Sequence, residues 1–297
     1  MRLTLVVVLC LLNAACAVAR KDKDEPVDNG PKRQKVEPEL KPSEALKPPS
    51  VDLASPITDH FYMRGSYFPA AVDTQIRLDP GIVGIQGTPL DAEEDLGLDD
   101  KIDQGRMEFD IRIEKRSHMR IDYFKLNRFG QQPLQQDTIF GPILFPAGTD
   151  FRTKLDWRVL TLTYTYSFLK FERFEAGFGV GAHIIEGHLE GGTPGPGARE
   201  RVDAVGYFPT IAANAALRIT NRWSFTLRGQ QYAANPEDFD GKLSDYHADI
   251  QFRWRKNLAV GLGYTQLKYK LDIIDGNQTM LFDLDTTGPE VFFRVSF

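Results

Sequence analysis

Two stretches of this chain hold residue types that could do chemistry. Asp245-Tyr246-His247 sets a carboxylate and an imidazole two positions apart. Residues i and i+2 share a face of an extended strand, so Asp245 could orient His247 as a base that takes a proton from water. Asp110 and Asp122 are the candidate carboxylates for an opposing wall, although no spacing ties them to it. The second stretch crowds Asp91, Glu93, Glu94, Asp95, Asp99 and Asp100 together. Oxygen ligands of this kind suit a divalent cation, and Asp91, Glu93 and Asp95 are the candidate ligands. The spacing is not that of an EF-hand loop, and a solvated acidic loop is the simpler reading. His183, Glu186 and His188 could form a metal or acid–base site, but they straddle a change in strand phase that leaves their facing open. The expected site list therefore contains no committed catalytic residue, no metal ligand and no cofactor.

Composition excludes several classes. The chain has 297 residues, 42% of them hydrophobic, and a formal net charge of -5. Its mean hydropathy is -0.32 and its isoelectric point is near 5.6. A helical membrane protein would be more apolar, and a nucleic-acid binder needs a basic face. Both cysteines, Cys10 and Cys16, lie among the first twenty residues, so the remainder holds neither disulfides nor thiolate metal sites. The segment Gly191-Gly192-Thr193-Pro194-Gly195-Pro196-Gly197 lacks the Gly-Lys-Ser/Thr of a phosphate loop and reads as a flexible connection.

Residues 1–19 carry a positive Arg2, an apolar run from Leu3 to Leu12 and the small-x-small step Ala17-Val18-Ala19. This predicts a cleaved export signal. Asn13-Ala14-Ala15 before Cys16 loosely resembles a lipidation site, with Asn13 where Leu is usual. Residues 20–57 are rich in Lys, Glu, Asp and Pro and contain no aromatic residue. Such a segment buries too little surface to offset its conformational entropy. A disordered linker is expected there, with peptidoglycan as a candidate contact.

From residue 58 to 297 the period is two. Leu160, Leu162, Tyr164, Tyr166 and Phe168 alternate with Thr161, Thr163, Thr165 and Ser167. Phe174, Ala176, Phe178 and Val180 alternate with Glu175, Gly177, Gly179 and Gly181. Tyr246, Ala248, Ile250, Phe252 and Trp254 alternate with Asp245, His247, Asp249, Gln251 and Arg253. The pattern predicts ten strands, at about 60–78, 105–115, 118–128, 154–168, 173–188, 204–220, 223–233, 244–255, 258–271 and 281–297, with eight as the alternative. Tight connections near 116, 171, 221 and 256 alternate with long ones at about 79–104, 129–153, 189–203, 234–243 and 272–280. The phase slips at Ile184-Ile185 and between Tyr264 and Leu267 predict β-bulges near one rim.

Alternation does not say which face is buried, because a soluble barrel alternates as well. The polar face mixes glycines with opposite charges such as Glu108, Asp110, Arg112, Asp249 and Arg253, as suits a crowded polar lumen. Aromatic residues gather at the short-turn ends, like an interfacial girdle. The last strand sets Val291, Phe293, Val295 and the terminal Phe297 on one face, against Glu290, Arg294 and Ser296, with Phe292 as the apolar exception. An all-β, closed antiparallel transmembrane barrel is expected, its lumen largely plugged because inward charges at this density must pair.

Three resemblances bear on this expectation. The strand ending in Phe297 resembles the C-terminal recognition strand of Gram-negative outer-membrane barrels, which implies export to the outer membrane and contact with the barrel assembly machinery through Val291, Phe293, Val295 and Phe297. The segment Gln86–Asp100, with Gly87-Thr88, spaced acids and Asp95-Leu96-Gly97-Leu98, resembles one in a family of proteobacterial outer-membrane barrels. The likeness continues through Arg106–Arg128 and in general layout to the C-terminus, and departs at Pro89-Leu90. It implies a barrel with no established activity, set among outer-membrane lipid and lipopolysaccharide. Asp245-Tyr246-His247 faintly resembles the Asp-x-His pair of omptin proteases, which implies a hydrolase at the outer mouth. No His-x-Ser of the lipid A deacylases occurs. The expected role is non-enzymatic, structural or surface-interacting, with a narrow solute channel second and a mouth-sited hydrolase third.

Overall fold

The computed structural model describes residues 56–82, 84–234, 239–275 and 278–297. The expected export signal, the lipidation site at Cys16 and the linker as far as residue 55 lie outside the described residues. Ten long strands follow in order: β1 (Phe61–Leu78), β2 (Lys101–Arg112), β3 (Ser117–Pro133), β4 (Asp150–Lys170), β5 (Phe174–Gly192), β6 (Arg199–Arg218), β7 (Trp223–Ala234), β8 (Phe239–Arg255), β9 (Leu258–Asp275) and β10 (Gln278–Ser296). Each pairs antiparallel with the next, and β10 pairs back onto β1 from Tyr62↔Ser296 to Leu78↔Met280. The fold is a closed ten-stranded transmembrane β-barrel, with no helix among the described residues. In the lower tier every strand is paired on both sides, the condition for crossing lipid with strands. At the seam, the Phe297 carbonyl accepts from the amides of His60 and Phe61, and the Phe297 amide donates to the Phe61 carbonyl at 2.8 Å.

Most strands run past their predicted upper ends, while β1 ends at Leu78 as expected. β8 begins at Phe239, β9 runs to Asp275 and β10 begins at Gln278. Two predicted long connections, 234–243 and 272–280, therefore shrink to 235–238 and 276–277. The predicted bulges are also absent. Ile184 pairs with Leu160 and Ile185 with Val159 without a break, and Tyr264 through Leu267 pair in step with Ala248 through Asp245. The two register shifts on these strands fall instead at Ser167/Leu169 and Arg253/Arg255, both at the short-turn end.

The phase slips mark a change of surroundings. On β9, Val260, Leu262 and Tyr264 are exposed while Ala259 and Thr265 are buried. Farther along the same unbroken strand, Leu267, Tyr269 and Leu271 are buried, and Lys268 and Lys270 point out. β10 repeats this. Val291, Phe293 and Phe297 are 53%, 46% and 66% exposed, whereas Phe282 and Leu284 are buried and Asp283 and Asp285 lie on the outer wall. The lower tier is apolar outside and polar inside, as lipid contact requires. The upper tier is polar outside and apolar inside, as a water-surrounded barrel requires. Side chains alternate with the same period throughout; only the outside medium differs. Tyr166, Phe168, Phe171, Trp223, Trp254, Phe293 and Phe297 are all exposed near the short-turn end, where they form the aromatic girdle.

Long connections cover the upper end. Leu90, Leu96 and Leu98 from the β1–β2 connection, and Phe140 and Phe145 from a small hairpin (Thr138–Phe140 with Ile143–Phe145) between β3 and β4, join the apolar core. Phe151 packs edge-on against Phe140 and Phe145, at 5.7 and 5.0 Å between ring centres. The hairpin turns at Gly141, whose φ of 57° favours glycine. The Gly141 amide donates to Leu78 O at 3.1 Å. A Cβ there would lie 3.1 Å from the Glu200 side chain and 3.2 Å from that of Leu78, so the turn bridges β1 and β6.

Candidate functional site: a lumen with two seals

Inward positions of the lower tier place an arginine from one strand opposite acids from others. Arg64 on β1 donates to Asp249 (2.7 Å) and Glu290 (2.8 Å). Arg228 on β7 pairs with Glu108 and lies 3.7 Å from Asp249. Arg106 donates to Asp122 at 2.7 Å and reaches Asp245 at 3.2 Å. Arg112 holds Glu175 with both terminal nitrogens at 3.0 Å, and His118 sits 3.1 Å from both Asp110 and Glu175. All these side chains are buried. Charges removed from water persist when paired in good hydrogen-bonding geometry, and this network supplies the pairing. Beside Tyr62, Arg64 and Arg228 a space of about 40 Å³ remains, room for a few waters.

Phe292, the apolar exception of the last strand, belongs to this layer. Its ring lies under the Arg64 guanidinium at 3.6 Å, a cation–π contact away from water. Its neighbour across the pair is Gly261, where any Cβ would collide with the Phe292 ring. A glycine inside the strand thus makes room for the aromatic ring that flanks the arginine.

The short-turn end is closed by residues assigned from the sequence to the linker and its junction. Pro56, Ile57 and Asp59 turn into the lumen. Arg112 donates to the Ile57 carbonyl at 2.7 Å and to the Asp59 carbonyl at 3.2 Å. The Asp59 carboxylate receives Arg253 at 2.9 Å and Arg294 at 2.6 Å. Pro56 and Ile57, which the sequence reading places at the end of the linker, thus contact Arg112 in the lumen.

Above the charges comes an apolar seal. Trp157 stacks on Phe282 at 4.6 Å and packs against Tyr269 at 5.7 Å. Above and beside it is a cavity of about 510 Å³ walled chiefly by Leu155, Trp157, Leu189, Phe208, Leu271 and Phe282. The predicted polar lumen thus gives way in the upper tier to a mainly apolar one, in which Arg128 is held by Thr74 and Glu93.

The sequence-predicted candidates fall as follows. Asp245 and His247 do share the inward face, with His247 Nε2 2.7 Å from Asp245 Oδ1. Thr265 Oγ1 lies 3.0 Å from His247 Nδ1, and Glu290 stands behind it. Both residues are buried beneath the apolar seal rather than placed at an outer mouth. Asp122 does approach Asp245, but Arg106 stands between them, and Asp110 is engaged by His118. His183 is buried against Thr161 and Tyr269, while His188 pairs with Asp203 at 2.6 Å on the outer wall and Glu186 is exposed. The three form no common site.

Of the acidic group, Asp91 and Glu93 converge with Asp73, their oxygens within 4.8 Å of one another. Asp95 departs from it, accepting the Asp91 amide at 2.8 Å. Asp91 itself accepts the amides of Glu93 and Glu94, and Glu93 receives Arg128 at 2.5 Å and the Thr74 amide at 2.9 Å. Burial pushes the Glu93 carboxyl above its usual range, against the opposing pull of Arg128. These carboxylates already serve as turn and ion-pair acceptors that dock the loop on the barrel.

Sequence reasoning did not find Asp59, the individual arginine partners or the apolar cavity. The cavity had a signal in the sequence: Leu267, Tyr269 and Leu271 alternate with Lys268 and Lys270 in the phase opposite to Val260, Leu262 and Tyr264.

No family model and no curated protein matches the chain. Among solved structures, it is similar to the outer membrane protease OmpT from Escherichia coli, at 10% identity and a TM-score of 0.49, covering 80% of this chain and 96% of that one. It is also similar to the outer membrane protein OprG from Pseudomonas aeruginosa, at 11% identity and a TM-score of 0.36, covering 80% and 95%. The attachment invasion locus protein Ail of Yersinia pestis gives 9% identity and a TM-score of 0.29, covering 76% and 98%. The assignment as a closed barrel rests on the strand pairing of the chain itself.

Proposed function

We propose that this chain is an outer-membrane β-barrel of Gram-negative type that neither conducts solutes nor hydrolyses a substrate, and that acts through its upper, water-facing tier as a structural or surface-interacting protein. The observation that carries this reading is the pair of seals in series. A paired-charge layer fills the lower lumen, and the Trp157–Phe282–Tyr269 layer lies above it. A solute path would have to break both. The burial of Asp245 and His247 beneath the second seal speaks against the hydrolase reading, because substrate has no route to them.

In this reading the lower tier contacts lipid, and the upper wall stands among lipopolysaccharide headgroups. The exposed Val291, Phe293 and Phe297, with the half-buried Val295 on the same face, support recognition of the last strand by the assembly machinery before closure, and the Gln86–Asp100 segment supports membership of the proteobacterial barrel family it resembles. The test is conductance in planar bilayers. The full barrel is expected to give no single-channel steps, and reproducible ion-selective steps overturn the reading.

A further inference from the structure

The cavity above the Trp157–Phe282 layer has an opening that neither the mouth nor the charge layer provides. Pairing between β6 and β7 ends at Ile211↔Gln231. β6 continues upward another twelve residues to Arg199, held on its other side by β5 up to Gly192↔Arg199. β7 ends only three residues later, at Ala234, paired with β8. The β6 edge from Val202 to Thr210 therefore has no strand partner on its β7 side among the described residues. Among the described residues the barrel wall is notched there, beginning where Tyr232–Ala234 part from Phe208–Thr210.

Three observations say what the notch admits. First, it opens onto the cavity. Val202, Ala204, Gly206, Phe208 and, from β7, Tyr232 line both. Val202, Ala204 and Gly206 take inward positions yet keep partial exposure, unlike Phe208, Thr210 and Ala212 just below them. Second, the notch begins where the outer wall is still apolar. Val205, Tyr207 and Ile211 are 61%, 67% and 72% exposed on β6, and charge first appears above them at Asp203 and Arg201. A molecule dissolved in the lipid thus meets the opening without crossing water. Third, the cavity wall carries no unpaired charge. Its charged pair, His188 with Asp203, sits at the outer edge, where Arg201 also donates to Asp203. The hairpin turn at Gly141 spans from Leu78 to Glu200 over the upper end.

We propose that the upper lumen is a binding site for a small, uncharged, hydrocarbon-like molecule that enters from the lipid through the notch between β6 and β7. A cavity of about 510 Å³ falls in the range of small-ligand sites, roughly 300–1,000 Å³. Burying apolar surface there drives binding, and a charged ligand is excluded because nothing in the wall compensates its desolvation. The site stands on the barrel geometry alone and is independent of whether the barrel conducts.

Trp157 lines the cavity, and the other two tryptophans, Trp223 and Trp254, face outward in the lower tier. Full-length protein with Trp223→Phe and Trp254→Phe, reconstituted in lipid vesicles, thus reports from the cavity alone. 1-Bromooctane in the bilayer is expected to quench Trp157 saturably, whereas iodide in the water is not expected to quench it. Ala204→Phe fills the cavity and is expected to abolish the saturable quenching, and Val202→Phe serves as a second filling variant should the first not fold. Quenching that rises linearly without saturation, or that persists in a folded filling variant, overturns the site. Iodide quenching as strong as that by bromooctane overturns the entry route from the lipid.

Discussion

Arg294 Nη2 lies 2.6 Å from the Asp59 carboxylate, tying a residue just ahead of the first strand to the last one. Arg253 from β8 shares the same oxygen at 2.9 Å. One acid thus holds two cations at the short-turn end, all three side chains almost wholly buried. Asp59→Asn leaves both guanidiniums in place with no counter-charge. Breaking a buried pair from one side costs about 3–5 kcal/mol. The expected outcome is a loss of that order in urea unfolding of the reconstituted barrel, read as a lower temperature of conversion to the unfolded band in SDS gels. An unchanged conversion temperature contradicts the role given to Asp59.

The two seals make a prediction about conduction that differs from one about stability. Arg64→Ala strips Asp249 and Glu290 of a partner and is expected to destabilise the barrel by about 3 kcal/mol. It is not expected to open a path, because Trp157, Phe282 and Tyr269 still close the lumen above. Bilayer recordings of the variant are expected to stay silent. Steady conductance from Arg64→Ala means that the charge layer is the sole barrier.

The tiers make the cost of one substitution depend on depth. Leu262 is 61% exposed on the lipid-facing wall, while Lys270 is exposed on the same strand in the upper tier. Leu262→Arg is expected to cost about 2–4 kcal/mol, the range for an arginine at mid-bilayer depth, and Lys270→Arg to change stability little. Equal effects contradict the change of medium along β9.

Glu93 gives the docked loop a pH dependence. Its carboxyl holds a proton more tightly in the folded loop than in the unfolded chain, because burial outweighs the pull of Arg128. A raised carboxyl pKa contributes stability that is fully present below the ordinary carboxylate value and is lost as pH rises through the raised one. Hydrogen exchange of the Asp91–Asp100 amides is expected to quicken across that window, beyond the intrinsic pH effect measured on a peptide of the same sequence. The added dependence is expected to vanish in Glu93→Gln. Its persistence in that variant contradicts the assignment.

The ten strands were legible because alternation with period two survives any surroundings. Every predicted strand is present, with lower ends within a few residues of the sequence expectation. The upper ends were not legible, because alternation is the same whichever face is buried. Leu267, Tyr269 and Leu271 therefore read as a slipped continuation of Val260, Leu262 and Tyr264, when they are the inward set of a strand whose outer wall has turned from apolar to charged. The partners in the lumen were also hidden. Arg106 and Asp245 are 139 residues apart and meet only because the sheet closes. Asp59 was hidden by the lysine- and proline-rich segment that precedes it, since nothing local separates a lumen plug from the end of a linker.

The change of tier along an unbroken strand is the central claim, and nitroxide accessibility along β9 tests it most directly. With Cys10 and Cys16 replaced by serine, single cysteines at 260, 262, 264, 268 and 270 are spin-labelled in vesicles and exposed to oxygen, which concentrates in lipid, and to a water-soluble nickel chelate. The expected result is oxygen-favoured relaxation at 260, 262 and 264 and nickel-favoured relaxation at 268 and 270, with the crossover between Tyr264 and Lys268. Oxygen-favoured relaxation at all five positions, or nickel-favoured relaxation at all five, contradicts it.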